Sequence, residues 1–214
     1  MAAPVSLVTT DGVDLEGEIA SAPQERARAV LCHPHPLHGG TMRSLVISEL
    51  FTALPRAGIT CVRFNFRGVG MSTGTHDGGD GERLDVRAAI RALSVDAPDD
   101  ATPVVVVGWS FGADIALSIH DHQLAGWIGI APPLRYAHDI DALALDPRPK
   151  LILLAERDEI RDAREVAAIT GGWDACTTEV VPGASHFFIG RTDRLIRSVT
   201  TWVERLAASE TAGD

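Results

Sequence analysis

The chemistry of this chain centres on a serine set between two glycines. GWSFG, residues 108–112, places Ser110 directly after the apolar run PVVVV and directly before the helical stretch FGADIALSIH. A turn from strand to helix tight enough to require glycine on both sides strains the central residue and raises its side chain at the end of the sheet. The hydroxyl then lies beside a helix N-terminus, whose free N–H groups favour developing negative charge. A serine hydroxyl is a weak nucleophile and needs a base, and the base needs an acid to orient it. His186, in GASHFF, follows the strand-like CTTEVVP and precedes the last helical stretch, in a loop at the same end of the sheet. Asp158 follows the run KLILLA in the turn AERD and completes the chain order Ser, Asp, His. Glu156 and Asp162 are rival carboxylates in that loop, and simple turn chemistry is the alternative role for each.

A second run invites different chemistry. HPHPLHGG, residues 33–40, carries His33, His35 and His38. Its HxHxxH spacing resembles the zinc-binding run of metallo-β-lactamase-like hydrolases, in which His-x-His is followed by an Asp-His pair. Leu37 stands where that Asp would be. A metal reading also leaves GWSFG without a role, so the expectation is a backbone device with no bound metal and no cofactor. FNFRGVGMSTG, residues 64–74, reads as a loop beside the site in which Arg67 and Ser72 are mainly anchors. Glu82, Asp85 and Asp114 read as acids in the first turns of helices, where negative charge suits the dipole.

These residues need a scaffold, and the apolar pattern supplies one. VSLVTT and VDLEGEIA read as an opening antiparallel pair about a turn at Asp11 and Gly12. After RAVLC, a helix over about residues 43–57 places Ile47, Leu50, Phe51 and Leu54 on one face, with Gly58 closing it. ITCVRFNF, PVVVVG, AGWIGIA, KLILLA and CTTEVV are further strands. They alternate with helical stretches, one presenting Val86, Ala89, Ile90 and Leu93, and the last burying Leu195, Val199, Trp202 and Leu206. Continuous apolar strands between amphipathic helices predict a mostly parallel sheet of eight strands covered on both faces.

Composition bounds the rest. A chain of 214 residues with 45% hydrophobic and 22% charged residues is expected to form a single domain with its own core. A formal net charge of −10 and no basic stripe argue against nucleic acid as a partner and leave small molecules open. No apolar run approaches membrane-spanning length, and the N-terminus lacks the basic and apolar regions of a signal peptide. Cys32, Cys61 and Cys176 are too scattered for a disulfide framework, which suits buried thiols in a reducing cytosol. Lys150 is the only lysine, an arginine bias that resembles that of GC-rich bacterial genomes.

Over about residues 28–206 the chain resembles the α/β-hydrolase superfamily, in particular its small bacterial members without a cap domain, broadly akin to dienelactone-hydrolase-like proteins. The resemblance rests on GWSFG, on the placement of Asp158 and His186, on RGVGMS and on the loop HPHPLHGG. It implies an α/β fold with Ser110 as nucleophile, Asp158 as acid and His186 as base. It also implies that the HPHPLHGG loop gives one backbone N–H to an oxyanion hole and Phe111 the other. Pro34 and Pro36 have no N–H, so the first donor falls to His35, with Leu37 as the alternative. Dienelactone hydrolases proper use cysteine where this chain has Ser110, so their lactone substrate is not carried over. The acid turn often opens with glycine, where this chain has Ala155.

Three readings follow. The first is a metal-free serine hydrolase acting on esters or related acyl compounds, cytoplasmic, with a small acyl substrate as its partner. The second is a metallohydrolase built on the histidine run. The third is a hydrolase fold used for binding or regulation. On the first reading, residues 131–149 are too few to form a cap domain, and short acyl chains are expected.

Overall fold

Apolar residues dominate the central strands because both faces of the sheet are covered. In the computed structural model, which describes residues 2–94 and 102–211, strand β5 (Val104–Trp109) sends Val105, Val107 and Trp109 to one side. Val104 and Val106 go to the other. All five are at most 5% exposed.

The remaining strands are β1 (Ala2–Val8), β2 (Asp14–Ala20), β3 (Ala27–Cys32), β4 (Ile59–Phe64), β6 (Leu124–Ile130), β7 (Lys150–Arg157) and β8 (Cys176–Ser185). They form an eight-stranded sheet in the order β1-β2-β4-β3-β5-β6-β7-β8. β1 pairs with β2 and β2 with β4 in antiparallel fashion, and every other pairing is parallel. One layer of helices contains α1 (Leu45–Ala53) and α6 (Thr192–Thr211); the other contains α2 (Asp80–Ser94), α3 (Phe111–Leu117), α4 (Ile140–Ala144) and α5 (Ala163–Thr170). The chain runs from β3 to β4 on one side and returns to β5 on the other, so the direction of winding reverses between β3 and β5. Loops leaving the carboxyl ends of two such strands diverge and open a crevice. Here they are the HPHPLHGG loop and the GWSFG turn.

Several boundaries differ from expectation. The helix expected over residues 43–57 is α1 followed by a 3₁₀ turn at Leu54–Ala57, because Pro55 supplies no N–H to continue the α ladder. Gly58 then closes it in the left-handed conformation, φ 79°. β7 continues past KLILLA to Arg157, and β8 continues through Pro182, which an edge strand tolerates. In α6, Trp202 is only half-buried and Val203 takes the core position beside Val199. Among the described residues no helix is long and apolar enough to cross a membrane.

Candidate active site

The GWSFG turn is built by close approach. A Cβ on Gly108 would lie 2.0 Å from the Gly112 carbonyl oxygen, and one on Gly112 would lie 2.3 Å from that of Cys32. Only glycine fits at either place. Between them Ser110 is held at φ 56°, ψ −122°, a strained conformation for a residue with a side chain. Its N–H donates to the Ile130 carbonyl of β6 at 2.9 Å, and its own carbonyl receives the Ala113 and Asp114 N–H groups of α3.

Strand register brings the other two residues to it. β7 and β8 pair Arg157 with Ser185, so Asp158 and His186, each one residue further on, emerge side by side. His186 Nδ1 lies 2.8 Å from Asp158 Oδ2 and 3.0 Å from Oδ1, and its Nε2 lies 2.8 Å from Ser110 Oγ. Asp158 and His186 side chains are each 4% exposed. An ionised carboxylate only accepts, so Nδ1 carries the proton, and the bare Nε2 accepts the serine O–H. Asp158 is itself oriented by the Ile160 and Arg161 N–H groups, which donate to its Oδ1 at 2.8 and 3.1 Å.

The rival carboxylates are engaged elsewhere. Glu156 accepts the Gly183 N–H, and Asp162 caps α5 by accepting the Arg164 N–H. Two residues that the sequence did not single out hold the backbone of His186. Glu159 Oε2 accepts its N–H at 3.1 Å, and Trp109 Nε1 donates to its carbonyl at 3.1 Å.

The histidine run turns out to be a folded loop. The Phe66 N–H donates to His33 Nε2 at 3.0 Å, so Nδ1 must carry the ring proton it shares with the Pro34 carbonyl at 2.6 Å. Burial pushes the pKa of His33 down to about 4. The ring is therefore neutral and has no lone pair left for a metal. His35 Nδ1 accepts the Leu37 N–H and its Nε2 meets the Tyr136 hydroxyl at 3.2 Å. Among the described residues no group of three or more His, Cys, Asp or Glu side chains is arranged to hold a metal ion. The His38 and Gly40 N–H groups both donate to the His35 carbonyl at 3.0 Å. Leu37, the alternative donor, has its N–H turned to the His35 ring. The His35 N–H has no acceptor among the described residues, and that of Phe111, first in α3, has no partner within its helix.

The acids read as dipole partners have more specific work. Asp85 forms a buried ion pair with Arg67, which also binds Asp11. Buried Glu82 accepts the Asp77 and Gly79 N–H groups and contacts His76. Ser72 donates to the Asn65 carbonyl, an anchor as expected. Asp114 differs most from expectation. Its carboxylate accepts the N–H groups of Leu134, Arg135 and Tyr136 at 2.8 to 2.9 Å, tying down the loop after β6. Burial outweighs these bonds and lifts its pKa to about 6.

Above Ser110 lies a cleft of about 480 Å³, walled by His35, Trp109, Phe111, Tyr136 and Phe187 among others. Leu45, Ile160 and Ile189 stand partly exposed at its rim.

The sheet order, the serine turn and the crevice at the reversal of winding define a hydrolase of the α/β-hydrolase fold. Known relatives agree. An α/β serine hydrolase homologue from Coxiella burnetii is 33% identical with a TM-score of 0.81, over 93% of this chain and 96% of that one. An α/β serine hydrolase without lid from Xanthomonas campestris is 30% identical with a TM-score of 0.85, over 95% and 94%. A Rickettsia prowazekii protein is 32% identical over 200 residues, 88% of this chain and 84% of its own length. The chain belongs to the family described as serine aminopeptidase, S33, whose model matches residues 25–157. That match includes His35 and Ser110 and ends one residue before Asp158. The narrower likeness to dienelactone-hydrolase-like proteins remains one of sequence motifs.

Proposed function

We propose that this protein is a metal-free serine hydrolase that cleaves small carboxylic esters through an acyl-enzyme. The observation that carries the reading is the continuous hydrogen-bonded line from Ser110 Oγ through His186 to Asp158. Ser110 Oγ attacks the acyl carbon as His186 Nε2 takes its proton, and Asp158 stabilises the imidazolium that results. The carbonyl oxygen becomes an oxyanion held by the N–H groups of His35 and Phe111. Collapse expels the alcohol, which receives its proton from His186, and water repeats the sequence on the acyl-serine. The absence of a lid named for the Xanthomonas relative supports a site open to solvent, in a single domain without a cap. Free thiols at Cys32, Cys61 and Cys176 support a reducing, cytoplasmic setting.

Peptide cleavage at a free amino terminus is the activity that the family's description suggests. Such a substrate presents an ammonium group, and the described cleft lining offers no carboxylate to receive it. Esters are therefore the preferred substrates. A fluorophosphonate probe should label the protein once, and the labelled peptide should contain Ser110. No labelling, together with no turnover of p-nitrophenyl esters, would remove the proposal.

Two more outcomes are expected. His35 sits at φ −53°, within proline's range, so His35→Pro deletes the amide proton without redirecting the chain. It should lower turnover by roughly 10² to 10³, the usual loss for one oxyanion donor. His35→Ala keeps the amide but loses the ring's bonds to Leu37 and Tyr136, and should stay within about tenfold of wild type. Equal losses in two folded variants would locate the effect in the ring and not in the amide. The second outcome concerns chain length. A cleft of this volume with an open rim cannot enclose a long alkyl chain, so methylenes beyond the wall gain less than the roughly 0.8 kcal/mol of full burial. Catalytic efficiency should peak with p-nitrophenyl acetate or butyrate and fall toward octanoate and palmitate. A steady climb to palmitate would contradict this.

A further inference from the structure

The cleft wall is mostly aromatic and aliphatic, with serines and histidines and a single permanent charge among its lining residues. Arg135 lines it, and no carboxylate does among the described residues. The arginine is held in place by its backbone, because its N–H is one of the three gathered by Asp114, at 2.8 Å. Leu134, immediately before it, is fixed at φ 55°. The guanidinium reaches toward the loop after β7, where it donates to the Ile160 carbonyl at 3.3 Å. It forms no ion pair among the described residues. Asp114, the acid its charge acts on, is buried and already filled by backbone N–H groups.

A guanidinium has five N–H donors in a planar fork that matches a carboxylate, and here only one is engaged among the described residues. Arg135 is itself exposed beside Tyr136, so a carboxylate there gains from paired, charge-assisted hydrogen bonds that salt can screen. The protein as a whole repels anions, with a net charge of −10. Against that background, a fixed cation lining the site discriminates between anionic and neutral substrates. Building on the ester-hydrolase reading, we propose that Arg135 is a specificity-determining residue and that the preferred substrates are esters carrying a carboxylate, such as half-esters of short dicarboxylic acids.

The test compares charged and neutral esters of like size. Monomethyl succinate and monomethyl glutarate are set against methyl butyrate and methyl pentanoate for the acyl side, and 4-acetoxybenzoate against phenyl acetate for the alcohol side. The readout is the charged-to-neutral ratio of kcat/KM, in which any general loss of activity cancels. On at least one side the ratio should fall about tenfold in Arg135→Gln, the value of one charge-assisted hydrogen bond, and less in Arg135→Lys. In the wild type that ratio should also fall as salt is raised. Ratios that are unchanged on both sides in a folded Arg135→Gln, while neutral esters are still cleaved, overturn this inference and leave the hydrolase reading standing. If the wild type cleaves neither class of ester, the hydrolase reading fails and this inference falls with it.

Discussion

Ser110→Ala is expected to abolish fluorophosphonate labelling and to lower ester turnover by about 10⁶-fold, the loss seen when the nucleophile of a serine triad is removed. The geometry supports so large an effect because Oγ is the atom 2.8 Å from His186 Nε2, and no other hydroxyl bonds to that nitrogen among the described residues. The substitution is clean. Serine already bears the strain of φ 56°, and alanine, with the same Cβ, bears it no worse. The Ser110 N–H and carbonyl, which tie the turn to β6 and α3, are kept. A thermal midpoint close to wild type should therefore accompany the loss, along with a residual rate of roughly 10³ to 10⁴ over water from the oxyanion donors and binding. Labelling that persists at another residue, or turnover that survives in the folded variant, would contradict the assignment.

The parts of this site visible in the sequence share a local signature. Ser110, Asp158 and His186 are each the first residue beyond a strand, after Trp109 of β5, Arg157 of β7 and Ser185 of β8. β5 and β7 could be read because burial on both faces leaves them almost continuously apolar, whereas β8, largely exposed at the sheet edge, shows only the short run CTTEVV. Gly108 was legible for a similar reason, since its close approach is to Gly112 in the same turn, whereas Gly112 approaches Cys32 and His33 of a distant segment and showed only through the GxSxG pattern. What stayed hidden depends on partners far along the chain. Asp114 looks like any acid in a first helical turn, and the three N–H groups it gathers lie 20 to 22 residues away. Glu159 bonds to His186 across 27 residues, and His35 meets Tyr136 across 101. Residue type and spacing carry no trace of such contacts. The break at Pro55 was a different matter, a local signal outweighed by the helical spacing of its apolar neighbours.

The choice among three carboxylates shows where pattern ends and geometry begins, and Asp158→Asn tests it. Asp158 Oδ1 accepts the Ile160 and Arg161 N–H groups, so an asparagine there keeps its amide oxygen on that side to serve the same donors. Its NH₂ then faces His186 Nδ1, where a carboxylate oxygen had been. Two donors cannot share that contact, and the imidazole must give up its Nδ1 proton and carry it on Nε2. Nε2–H points at Ser110 Oγ as a donor and can no longer take the serine proton. The fold loses little, since shape and backbone bonds are retained, but turnover should fall by about 10⁴, as in the comparable serine protease. Glu156→Gln keeps an oxygen for the Gly183 N–H, and Asp162→Asn still caps α5, so both should remain within a few fold of wild type. Measuring the three variants side by side, with folding checked by circular dichroism, decides the matter. An active Asp158→Asn beside a dead Glu156→Gln or Asp162→Asn would mean that the line seen in the structure is not the one that moves the proton.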